Sequence, residues 1–199
     1  HFPLHNVKHH ILSYFSLLTL TGFIAIVIAP NFIRGCRMVL PQERGEWWVR
    51  TQVLPVVAGA VEEVIKALPP EEWNCRGGYF CIMLVGDNVP IAVVMVGEVE
   101  DPNRRAECFK FAQEKAGRLY RTGDASSWAS RRPNRNQWGG GIRTEDHYLA
   151  FSGLPELADE AAMLLAALRL GLLTRDRADA IARRSANEMF LKKEWMVAS

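Results

Sequence analysis

The stretch YFCIMLVGDNVPIAVVMV, residues 79–96, limits the fold more than any other part of the chain. It sets two apolar, β-branched runs, 79–85 and 89–96, on either side of Gly86-Asp87-Asn88, residues that favour the dihedrals of a tight turn. Two such runs so close together predict an antiparallel hairpin. Both are apolar on both faces, so both are expected to be central strands, with helices over one face and a partner or loop over the other. Pro90 falls near a strand start, where its missing N–H does least harm.

Helical spacing surrounds the hairpin. Val53, Val57, Ala60, Val61, Val64, Ile65 and Leu68 recur on one face of a helix predicted from about Arg50 to Leu68, with Pro55 in its first turn and Pro69-Pro70 as its stop. Asp101-Pro102 supplies a cap and a first-turn proline for a second helix to about Tyr120. Ala106, Phe109, Ala112, Ala116 and Leu119 form its apolar face, and Arg104, Arg105, Lys110, Glu114 and Lys115 are expected on a solvated one. The next twenty-one residues, RTGDASSWASRRPNRNQWGGG, lack periodicity, and loops of that length in compact domains are usually functional or disordered. Gly141–Arg143 and Tyr148–Ser152 then predict a shorter hairpin across Thr144-Glu145-Asp146-His147. Leu154-Pro155-Glu156 opens a helix to about Leu170, Gly171 ends it, and Thr174 caps a last helix to about Lys193. Strands arriving as hairpins between helices imply an α+β fold, its mainly antiparallel sheet of four to five strands flanked by helices.

Charge and hydropathy divide the chain at about residue 37. Residues 1–37 hold Lys8, Arg34 and Arg37 and no acid, which leaves 21 basic against 22 acidic residues in the single domain expected over 38–199. A near-neutral domain lacks the basic excess that neutralising many phosphates requires, so nucleic acid is not an expected partner. Residues 11–29, ILSYFSLLTLTGFIAIVIA, are uncharged and as a helix would span about 28 Å, enough to cross a bilayer. Arg34 and Arg37 beyond it would keep the domain on the cytoplasmic side. Residues 1–37 read either as such a membrane anchor or as translated upstream sequence that is not native to the protein, since Met38 is the first methionine. Cys36, Cys75, Cys81 and Cys108 show no zinc spacing, and Cys81 and Cys108 read as reduced core residues, with a Cys75–Cys81 pair the alternative in an oxidising compartment.

Three features could carry chemistry. Gly139 to Gly141 lead into a strand, and neither GK[ST] nor GxGxxG accompanies them. Gly140 and Gly141 therefore either admit the chain to the sheet at unusual dihedrals or let a flat ligand lie against bare backbone. His147 reads as a turn residue, a general base or a metal ligand, the last being axial ligation of iron. Trp128, Arg131, Arg132, Arg135 and Trp138 could stack on a planar ligand and pair with its anionic groups. Glu156, Asp159 and Glu160 occupy the first turns of a helix, where they complement its dipole. Neither a nucleophile elbow nor a set of paired acids is visible, so no catalytic residue is assigned and a binding role is favoured over an enzyme.

The order of these motifs resembles the GlcG/HbpS-like haem-degrading family. The matching segments are YFCIMLVGDNVPIAVVMV, the Lys115-Ala116 pair in the following helix, Gly140-Gly141-Ile142, AFSG at 150–153, and Asp159 early in the next helix. The resemblance covers roughly residues 50–171. It departs from the pattern at Arg143, where proline is usual, and in the shortened TEDHYLAFSG hairpin. It implies a small-ligand-binding module, often a homo-oligomer, with haem or another planar anion as ligand. On that reading Arg131, Arg132 and Arg135 pair the carboxylates, Trp128 and Trp138 stack, and His147 ligates iron, in a pocket formed by the 122–141 loop and the second hairpin. The alternative is a structural or interaction protein that forms a homo-oligomer without a small ligand.

Overall fold

A computed structural model describes Gly45, residues 47–69 and 76–193, and Trp195, all within the second of the chain's two compact units, 40–199. The expectations for 1–37, including the 11–29 segment, and for Cys36 and Cys75 lie outside the described residues. Among the described residues, no helix is long and apolar enough to cross a membrane.

The elements are helix α1 (Leu54–Ala67), strands β1 (Gly77–Leu84) and β2 (Pro90–Gly97), helix α2 (Pro102–Thr122), strands β3 (Gly141–Arg143) and β4 (His147–Ser152), and helices α3 (Glu156–Arg169), α4 (Arg175–Ser185) and α5 (Glu188–Lys192). The fold is α+β, with one antiparallel sheet of order β2-β1-β4-β3 built from the two expected hairpins. Gly86 turns the first hairpin at φ +91°, a left-handed conformation that favours glycine, and Asp87 Oδ1 accepts from Val89 N at 3.1 Å. Thr144 closes the second: its Oγ1 accepts from His147 N at 2.9 Å, and its N–H donates to His147 O at 2.8 Å.

Only β1 is central. β2 is an edge strand whose residues from Pro90 to Val94 are all half-buried, correcting the expectation that both apolar runs lie inside. Strand alternation sends Phe80, Ile82, Leu149 and Phe151 into a core shared with α1 and α3. Cys81, Met83, Tyr148 and Ala150 point the other way, onto Ala112, Ala116 and Leu119 of α2. The second face of the sheet is thus covered by α2 rather than by a partner or a loop. Cys81 and Cys108 are free, buried thiols.

The helix starts follow their caps. Asp101 Oδ1 accepts from Asn103 N at 2.9 Å, and Gly123 at φ +71° ends α2. In α3 every residue from Ala158 to Leu168 is buried, which marks an internal helix, and α1, the sheet, α4 and α5 enclose it. The helix expected from Thr174 to Lys193 is broken. Thr174 caps it as expected, but Ala186 turns left-handed at φ +53° and Asn187 starts α5 by accepting from Phe190 N at 3.2 Å.

Candidate functional site

Two layers of the fold meet through one buried ion pair. Lys115 of α2 reaches past the sheet to Asp159 of α3, its Nζ donating to Asp159 Oδ2 at 2.7 Å and to Phe151 O at 2.8 Å. Asp159 Oδ1 accepts from Leu154 N at 2.9 Å, and both charged side chains are 2% exposed. Gly140 makes the passage. At φ +108° it sits where a Cβ would lie 2.5 Å from Asp159 Cβ and 2.9 Å from Lys115 Nζ. Burial pushes the Asp159 carboxyl up to about 6 against the opposing pull of Lys115. Lys115 is therefore not on a solvated face. Asp159 stands in the first turn of its helix, as expected, but that helix is internal and the carboxylate is buried.

The 124–140 segment is fastened over this pair. Buried Arg118 donates to Ser130 O at 2.9 Å and to Trp138 O. Arg131 grips Glu156 with Nε to Oε2 at 2.7 Å and Nη2 to Oε1 at 2.8 Å, and Gly139 N donates to Glu156 Oε2 at 2.7 Å. The Arg131 guanidinium also lies 4.8 Å from the centre of the Trp128 ring and 6.0 Å from that of Trp138. These donors hold the Glu156 carboxyl below its ordinary range despite partial burial. Isolated bridges Ser126↔Ile142 and Arg132↔Gln137 and a 3-10 turn at Pro133–Arg135 order the rest of the segment.

Beside the segment opens a cleft of about 790 Å³. Asn103, Arg104, Glu107, Cys108, Phe111 and Lys115 of α2 line one side; Ser152 to Pro155, with Glu156 and Asp159, line the other, and Trp138 contributes from the segment. Burial raises the Cys108 thiol, with the Asp159 charge adding to it and Arg104 and Lys115 opposing, which disfavours the thiolate that a reactive cysteine needs.

Glu160, one residue beyond Asp159, faces away from the cleft's floor. It accepts from the hydroxyls of Ser126 and Ser185 and from Asn187 Nδ2 at 3.1 Å. Asn187 Nδ2 also donates to Leu157 O at 2.8 Å, so this group joins α3, α4 and the start of α5 to the segment. Burial raises the Glu160 carboxyl, opposed by those three hydrogen bonds.

The expected site residues are not all gathered together. Gly140 adjoins the Lys115–Asp159 pair; Gly141, also buried, enters β3, where its N–H donates to Ser127 Oγ at 2.9 Å. Trp138 lines the cleft, while Trp128 and Arg131 form the clasp with Glu156. Arg132 and Arg135 are exposed in the 3-10 turn region and do not line the cleft. His147 stands at the other end of β4, four residues or about 13 Å along the strand from Phe151. Its ring lies 5.2 Å from that of Trp48, and its Nδ1 is buried without a partner among the described residues. Burial lowers its pKa, with Asp146 opposing. His147 and Trp138 do not share the cleft, and no group of three His, Cys, Asp or Glu side chains that could hold a metal occurs among the described residues.

Sequence reasoning missed Lys115, Arg118 and Glu160 as buried charges. The one signal for Lys115 is its place between Ala112 and Ala116 on a helix face that also holds Leu119. Comparison of the chain with family models, with curated proteins and with solved structures finds no match.

Proposed function

We propose that the chain is a small-ligand-binding module and that its site is the cleft floored by Lys115 and Asp159. One observation carries this reading. Of the residues behind the resemblance to GlcG/HbpS-like proteins, Lys115, Ser152, Gly153 and Asp159 come together in the lining of one cleft, and Gly140 packs against its Lys115–Asp159 pair. A buried ionisable pair at a cleft floor is also where binding chemistry concentrates. Trp138 and Phe111 give the apolar surface that a planar ligand needs. Haem ligated by His147 is not part of this reading, because His147 does not line the cleft. An NMR fragment screen tests it: binders should move the Trp138 indole N–H and the amides of 152–156. Binders that leave all of these signals unmoved would sink the proposal.

A second reading, assembly into a homo-oligomer, is favoured by a different surface. β2 presents an open edge, and Met95, Phe109 and Val89 are exposed near it, with Phe109 packed edge-on against Tyr79 opposite Met95. Light scattering that reads a monomer at high concentration would remove it.

A further inference from the structure

We infer that the cleft takes a planar carboxylate, one of whose oxygens accepts the third N–H of Lys115 while Asp159 takes up a proton from solvent. The inference rests on the cleft being the ligand site. An ammonium has three donors, and two acceptors are in place on Lys115, Phe151 O at 2.8 Å and Asp159 Oδ2 at 2.7 Å. Most other acids of the lining already have partners. Asp101 accepts from Asn103 N, and Glu156 accepts from Arg131 and Gly139 N. Glu107 is exposed, where solvent and salt screen its repulsion. Arg104 adds a second positive charge to the wall, its Nη2 donating to Gly153 O at 3.1 Å. Trp138 and Phe111 supply faces for the flat part of the ligand.

The proton follows from charge counting. A ligand carboxylate at Lys115 would put two anions on one ammonium in a buried site, and like charges so close do not both stay ionised. The charged and titratable groups around Asp159 are Lys115, Cys108 and Arg104 from α2 and Glu156 from α3; β4 offers the Phe151 carbonyl, and Arg131 of the segment acts through Glu156. Of these, Asp159 is the group to protonate, since burial has already pushed it up to about 6. The proton comes from water, and no covalent bond in the ligand changes.

Isothermal titration of the 199-residue chain with benzoate and with benzamide, its neutral isostere, tests this at pH 7 in two buffers of different ionisation enthalpy. Benzoate should bind with uptake of close to one proton, and its affinity should fall by about tenfold per pH unit from pH 7 to 8. Benzamide should bind at least about tenfold more weakly. Phe111→Ala should weaken benzoate without unfolding the chain, and Lys115→Met should abolish its binding; if that variant unfolds, the proton count and the benzamide contrast decide. Equal binding of the two compounds, both weakened by Phe111→Ala, overturns the carboxylate while the cleft stands. Binding of benzoate without proton uptake overturns the role given to Asp159, and no binding of either overturns the inference as a whole.

Discussion

Asp159 and Glu160 are neighbours on one helix, 1% and 0% exposed, and their carboxyl groups are satisfied in two different ways. Asp159 meets a cation, Lys115, and a backbone N–H at the floor of an open cleft. Glu160 meets two hydroxyls and an amide at a junction of α3, α4, α5 and the 124–140 segment. Burial raises both, but it works against an ion pair in one case and against neutral hydrogen bonds in the other. Neutral donors suit a fixed joint, because none of them must change charge when the carboxyl does. An ion pair in a cleft is a different device, since a third charge arriving there redistributes the proton.

The comparison can be broken most decisively at Lys115. Lys115→Met leaves Asp159 without its cation and should destabilise the fold by about 3–5 kcal/mol in urea unfolding at pH 7. The deficit should shrink as the pH falls and Asp159 becomes neutral. The same carboxyl gives wild type a pH slope of known sign. The folded chain holds this proton up to about 6, whereas the ordinary value is 3.8. Its contribution to stability is therefore greatest below 3.8, declines as pH rises toward 6, and is absent above that. Asp159→Asn should remove that part of the slope, and unchanged pH dependence between pH 4 and 6.5 would contradict the assignment.

Gly140→Ala comes next, at about 3 kcal/mol, because it combines a left-handed backbone with a Cβ only 2.5 Å from that of Asp159. Thermal unfolding should show the loss, together with broadened signals from 138–141. At the other carboxyl, Ser185→Ala removes one of three donors and should cost about 2 kcal/mol. That is less than losing the cation, and Ser185→Ala should leave the cleft's ligand response untouched. A cost equal to that of Lys115→Met would erase the distinction between the two sites. Arg131→Ala should have the smallest effect on stability, since its pair with Glu156 is partly open to solvent. Its signature should be faster amide exchange in 128–139, reproduced in wild type by high salt.

Much of this frame is legible in the sequence. The first hairpin is visible in two β-branched runs around Gly86, and α2 in Asp101-Pro102 at its start. The break at Ala186 was not, because RRSANEMF contains neither glycine nor proline. Asn187 decides it by bonding Glu160 and Leu157, which are 27 and 30 residues away. The edge position of β2 was equally hidden, since side-chain pattern reports burial and not which neighbour a strand lacks. At the site, Gly140 and Trp138 were marked by composition, whereas Arg132, Arg135 and His147 were grouped with them by sequence proximity that the strand geometry undoes.

By itself the sequence determined the periods, caps and turns, and with them the α+β class, because those depend on contacts a few residues long. Only the tertiary structure decided that Lys115 is buried, that it meets Asp159 across 44 positions, and that Gly140 leaves the gap through which they meet. A charged residue carries no local sign of whether its counter-charge waits in the interior, and that is settled only when distant elements pack.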